Sequence, residues 1–138
     1  MDNEVLVLMQ KNNETGFLEK EIGVYTLDVN AETIFGIFAT EEDGQLVVSL
    51  SLTCQKEISD WEYDAIFDYY DTDIFVQQEV TITEKEGHEN PMWCFSFPFI
   101  ENQSLMEEKI SALVTLHEGE LLSVYDAIVD KKDDYIAN

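Results

Sequence analysis

The sequence predicts an α+β domain, an antiparallel sheet of about five to seven strands with two or three helices packed on one face. Three observations carry this. Apolar residues alternate at period two through most of the first half and again near residues 92–100. The period turns helical after two Ser-x-x-Glu spacings, at Ser59–Glu62 and Ser104–Glu107. No strand–helix–strand alternation or glycine-rich first turn points to a dinucleotide fold.

Glu4–Gln10 reads as the first strand, closed by the turn residues Asn12-Asn13-Glu14-Thr15-Gly16. Phe17 and Leu18 begin a short second strand, and a third follows over Gly23–Val29. Thr33–Thr40 is apolar on both faces, the pattern of a strand covered on both sides. Glu41-Glu42-Asp43-Gly44 is a hairpin turn. The clearest strand comes next: Leu46, Val48, Leu50, Leu52 and Cys54 alternate with Gln45, Val47, Ser49, Ser51 and Thr53, and the polar set should look outward with Thr81 and Thr83.

Ser59 and Glu62 then open a helix from about Asp60 to Tyr70, with Ile58 as a staple. Ile74–Lys85 reads as strand, and residues 86–91 as a loop. Met92–Ile100 holds the largest block of aromatic area, with Trp93, Phe95, Phe97 and Phe99 on one face. It is the expected spine of the core. Pro98 cannot donate to a ladder and marks an edge, a bulge or the strand's end. The second Ser-x-x-Glu starts a helix over 104–117, which Gly119 is placed to end; a last helix spans 120–130. Lys131 and Lys132 suit its negative end, and 133–138 should fray. Residues 1–138 form one domain, with no repeat or linker.

Charge is the unusual quantity. Thirty acidic residues against seven lysines and no arginine give a formal net charge of −23. Small domains usually carry a magnitude of roughly 2–8. With no basic stripe, direct nucleic-acid binding is not expected, and anionic membranes would repel the chain. The acidic start, Met1-Asp2-Asn3-Glu4, does not read as a secretory signal, and no stretch reaches the roughly 18 apolar residues of a span. Cys54 and Cys94 fall in strand-like runs and read as buried free thiols, which fits a cytoplasmic location.

The most suggestive stretch chemically is the helix at 60–70. Asp60, Asp64, Asp68 and Asp71 fall on one helical stripe, at a local cost of a few tenths of a kcal/mol per like-charged pair. Phe67 and its aromatic neighbours wrap wider than one core-facing stripe requires. Together with Glu41, Glu42 and Asp43, these residues are the candidate partner-binding surface. An EF-hand reading of Asp60, Glu62, Asp64, Asp68 and Asp71 fails at its sixth position, where Ala65 stands instead of glycine. His88 and His117 lie in no metal-ligand spacing, and His117 should cap a helix end. A Cys94–His88 pair has no orienting partner. No catalytic, cofactor or metal residue is therefore assigned.

The function expected is that of a small, non-catalytic, protein-binding or regulatory module. A basic protein partner fits the charge, and homodimerisation through Thr33–Thr40 follows if its second apolar face lies uncovered. The alternative is an acidic decoy, a nucleic-acid mimic or immunity-type inhibitor that fills the groove of a basic nucleic-acid-binding protein. A third reading, a ligand-binding domain or enzyme, requires a deep pocket with convergent polar groups.

Overall fold

Three antiparallel hairpins lie side by side to make the sheet. The structure, a computed structural model, describes residues 4–136. The acidic start Met1-Asp2-Asn3 and the last two residues of the expected frayed tail lie outside them. The strands are β1 (Glu4–Lys11), β2 (Leu18–Leu27), β3 (Ile34–Glu42), β4 (Gln45–Thr53), β5 (Thr81–Lys85) and β6 (Met92–Pro98), in spatial order β2-β1-β3-β4-β6-β5. All neighbours are antiparallel except β1 and β3, which run parallel. The fold class is α+β, as expected.

Turn chemistry sets the hairpins. Asp43 and Gly44 both adopt positive φ, 53° and 83°, the geometry of a two-residue turn that matches strand twist. In the β1–β2 turn, Asn12 Oδ1 accepts from the amides of Glu14 and Thr15, and Gly16 takes a φ of 78°. The two strands expected over 17–29 are one bulged strand, β2, because both parts pair with β1.

The helical layer is α1 (Asp60–Tyr69), a 3₁₀ segment (Thr72–Gln78), α2 (Gln103–Ile128) and α3 (Lys132–Tyr135). All of it lies on one face of the sheet. That face is built from Val48, Leu50 and Leu52 on β4, opposite Phe97, Phe95 and Trp93 on β6, with Leu8, Tyr25, Leu27 and Ala39 completing the core. The aromatic strand is the spine of the core, and it ends at Pro98. β3 is not covered on both sides. Only its Ile37–Ala39 face meets the core, and no described helix crosses the sheet to shield Phe38.

Four local readings are corrected. Residues 72–78 are 3₁₀ rather than strand. Asp71 Oδ1 accepts from Asp73 N at 2.9 Å to start the turn, Phe75 drops against Phe95 at 4.9 Å, and Val76 is left exposed. The two C-terminal helices are one. Gly119 does not end α2, because the buried stripe His117, Leu121, Val124 and Ile128 continues through it and outweighs the glycine's cost of about 1 kcal/mol. Residues 133–135 do not fray. α3 docks on α1, Tyr135 donating to Asp68 Oδ2 at 2.7 Å with its ring 6.2 Å from Trp61.

The last correction concerns the start of α2. Asn102, not Ser104, is its N-cap, accepting from Leu105 N at 2.9 Å. Glu107 is thereby freed, and it accepts instead from the outward amide of Thr26 on β2 at 2.6 Å. One turn earlier, Gln103 Nε2 donates to Val24 O at 2.6 Å. Side chains at i and i+4 on one helix thus close an edge strand whose free backbone would otherwise template pairing.

Two measurements check these assignments. Gly119→Ala should stabilise the protein by about 0.5–1 kcal/mol, since a Cβ there meets nothing within 4 Å. An unchanged or lowered urea midpoint would contradict the continuous helix. Glu107→Ala should cost about 1 kcal/mol and speed exchange of the Thr26 amide about fivefold. Unaltered exchange at Thr26 would mean the edge is protected by something else.

Candidate functional site

The chemistry-bearing groups at the centre of the molecule form a closed chain. His117 Nε2–H donates to Thr53 O at 2.8 Å, which leaves Nδ1 to accept from the Tyr70 hydroxyl at 2.7 Å. Tyr70 ends α1, His117 is mid-α2 and Thr53 ends β4, so the chain joins three elements. His117 has no exposed surface, which overturns its expected place at a helix end. Burial holds its pKa down at about 4, partly opposed by the bond to Thr53, so the ring is neutral. Burial also drives the Tyr70 phenol well above its ordinary range, with the Glu120 carboxylate adding to it. Tyr70 stacks on Trp93 at 4.0 Å, and Phe67 meets Trp93 edge-on at 5.2 Å. The cluster is buried, with Trp93 and His117 wholly out of solvent.

The candidate residues of the acidic surface fall into two separate places. Asp60, Asp64 and Asp68 are exposed along α1, as is Asp71 just beyond it. Two of the four have internal work: Asp68 accepts from Tyr135, and Asp71 caps the 3₁₀ segment. Phe67 is half-buried against Trp93, and the apparent surplus of aromatics is largely used when α3 covers Trp61. Glu41, Glu42 and Asp43 are exposed at the β3–β4 tip. α1 packs where Trp93 pairs with Leu52, at the opposite end of nine-residue β4, about 27 Å away at strand rise. These acids do not make one patch.

Concavities are shallow. One of about 500 Å³ is an open depression between β2 and α2 lined by Thr26, Asp28, Ser104 and Glu107. A groove of about 350 Å³ beside Tyr125 and Lys56 holds Glu118, whose carboxyl is raised by burial and by Glu32. Among the described residues no three His, Cys, Asp or Glu side chains converge to hold a metal ion. α1 is helical from Asp60, so the acids of the EF-hand spacing point along a helix rather than around a loop. Cys54 and Cys94 are buried free thiols, and burial raises the Cys54 thiol. No described helix is long and apolar enough to cross a membrane.

The sheet's second face is a different surface. Strand register places Val5, Val7 and Met9 of β1 there, with Val24 of β2, Phe38 of β3, Val47, Ser49 and Ser51 of β4, Cys94 and Ser96 of β6, and Thr81 and Thr83 of β5. Val5, Val7 and Val24 are 60%, 45% and 42% exposed. At one end the β5–β6 loop folds toward it: His88 meets the exposed Phe35 ring edge-on at 5.5 Å, and Met92 is buried. Among the described residues paired in the ladder, the charged side chains this register places on the face are Glu21, Glu42, Lys11 and Lys85, two acids balanced by two lysines on a chain of −23. Lys11 lies over the Phe38 ring, 4.6 Å from its centroid.

The model of a family described as Family of unknown function (DUF6762) matches residues 1–136. The chain belongs to this family. No curated protein and no solved structure matches it. For this DUF6762 chain, sequence reasoning named the acids and missed the valines of β1 and β2. Alternation puts residues on two faces but does not say which face the helices take. The charge pattern held a partial signal, since Val5–Met9 and Val47–Thr53 are among several stretches that carry no acid.

The buried imidazole makes stability fall with acid. Above pH 6.5 His117 is neutral in both states. Below it the unfolded chain takes up a proton that the folded chain refuses until about pH 4. The loss should approach 1.36 kcal/mol per pH unit, about 3 kcal/mol in all. His117→Gln should be less stable at pH 7 but show a flatter decline between pH 6.5 and 4.5. Parallel urea-midpoint curves for the two proteins would refute the neutral, buried assignment.

Proposed function

We propose that this chain is a non-catalytic protein-binding module that docks through the uncovered face of its sheet. One observation carries the reading: a chain of −23 keeps a sheet face whose paired strand residues carry balanced charge and whose valines stand open to solvent. Monomers seldom expose contiguous apolar area without an interaction to serve. The hydroxyl row beside it, Ser49, Ser51 and Ser96, supplies hydrogen-bonding groups of the kind found around an apolar interface core.

The division of the acids between α1 and the β3–β4 tip weighs against a decoy, which needs carboxylates spaced over one surface like phosphates. The closed Tyr70–His117–Thr53 chain and the shallow concavities weigh against catalysis. Docking on a neutral apolar face is weakly screened by salt, whereas docking on the α1 acids would be released by it.

The tagged chain should therefore retain a partner protein whose binding persists at about 500 mM salt. Val7→Glu and Val24→Glu should abolish retention, and Asp64→Asn should leave it intact. Loss in Asp64→Asn with the valine variants unaffected would move the site to the acidic stripe and refute the sheet-face reading.

A further inference from the structure

We infer that the occupant of the open face is a second copy of this chain, packed sheet against sheet about a twofold axis. The inference rests on the docking surface proposed above and assigns its partner. An isologous contact must be complementary to itself. With the axis lying between the sheets and perpendicular to the strands, each strand faces its own copy. The apolar side of the face, Val5, Val7 and Val24, then meets the same valines. The hydroxyl side, Ser49, Ser51 and Ser96, meets the same hydroxyls, each of which both donates and accepts. A foreign surface would need an apolar half and a hydroxyl half in the same order. A second copy has them by symmetry.

Area permits it. Five inter-strand spacings give a width of about 24 Å, and about six uncovered residues per strand give a length of about 20 Å. The flat footprint is about 500 Å² per copy, hence about 1,000 Å² across both before side-chain relief is added. A specific interface must clear about that value. The two inner faces would sit about 10 Å apart, as in a β-sandwich.

Charge decides the orientation and sets a salt signature. Two chains of −23 repel, yet among the described, paired strand residues this face brings two acids, Glu21 and Glu42, and two lysines, Lys11 and Lys85, of each copy into the contact. The α1 acids lie beyond the helical layer, on the far side of each sheet. A contact through α1 would press acid against acid. The residual repulsion between the exposed acids of the two copies is long-ranged at low ionic strength and is screened as salt rises, so added salt should strengthen the dimer.

Sedimentation velocity of the whole chain, from about 10 to about 500 µM at about 50 and 500 mM salt, tests this. A reversible dimer, more populated at high salt, is expected. Val7→Glu should be monomeric throughout, with Val24→Glu as a second break on a different strand and circular dichroism to show both folded. A wild-type chain that stays monomeric to 500 µM at both salts overturns the inference. So does a dimer that both variants leave intact. A monomer that retains a foreign partner sensitive to Val7→Glu would sink the self-association and leave the docking face standing. A monomer that retains nothing would sink both.

Discussion

The fold turns on a neutral imidazole. His117 ties α2 to the last residue of β4 and to the last turn of α1, at the spot where Trp93 fills the space between helix and sheet. Thr53 O needs a partner there because the chain leaves the sheet immediately after it. Tyr70 Oη needs one because its ring is stacked on Trp93 and cannot turn outward. A neutral histidine, one ring nitrogen donating and the other accepting, satisfies both at once. An apolar residue would leave two buried polar groups without partners, and a charged ring would be buried without a counter-ion. This one side chain fixes where α1 and α2 sit relative to the sheet, and therefore which face is covered.

The consequence for the sheet edges is asymmetric. With His117 holding the middle of α2 near β4, the 26-residue helix, about 39 Å long, carries its first turn out to β2. Gln103 and Glu107 can close that edge only because the helix is pinned further along. The opposite edge, β5, is closed by no such pair. It is only five residues long and carries Glu84 and Lys85, features that discourage strand addition. Both edges are thus blunted by different means, and the open face remains the sheet's uncommitted surface.

Periodicity made the sheet, the aromatic spine, the hairpin turn at Asp43–Gly44 and α1 legible, because each rests on local spacing that packing reinforces. It misread residues 72–78, where the alternation of Ile74, Phe75 and Val76 imitates a strand while Asp71 starts a tight turn. It misread Ser104 and Glu107 as a capping box because the competing acceptor task, at Thr26, lies 81 residues away in sequence. Gly119 was taken as a stop because its local cost is visible and the long stripe it interrupts is a tertiary feature. The candidate site was hardest to see. Acids are conspicuous in a sequence, while the scarcity of acids on one face becomes visible only when three hairpins are laid side by side.

Where the charge is missing matters more than where it is. Thirty carboxylates on a chain of 138 residues make most of any surface acidic, so an acidic stripe on α1 needs no special role. A face of four balanced charges does need explaining, because solubility alone would favour glutamate at Val5, Val7 or Val24 as readily as on α1. Each of those positions is exposed enough to accept a carboxylate without disturbing the core. Leaving them as valine serves strand formation but keeps apolar area in water in the isolated chain. The arrangement makes physical sense when that area is removed from water by a partner, and the acids elsewhere then favour a meeting of two chains through the face where acids are few and balanced by lysine.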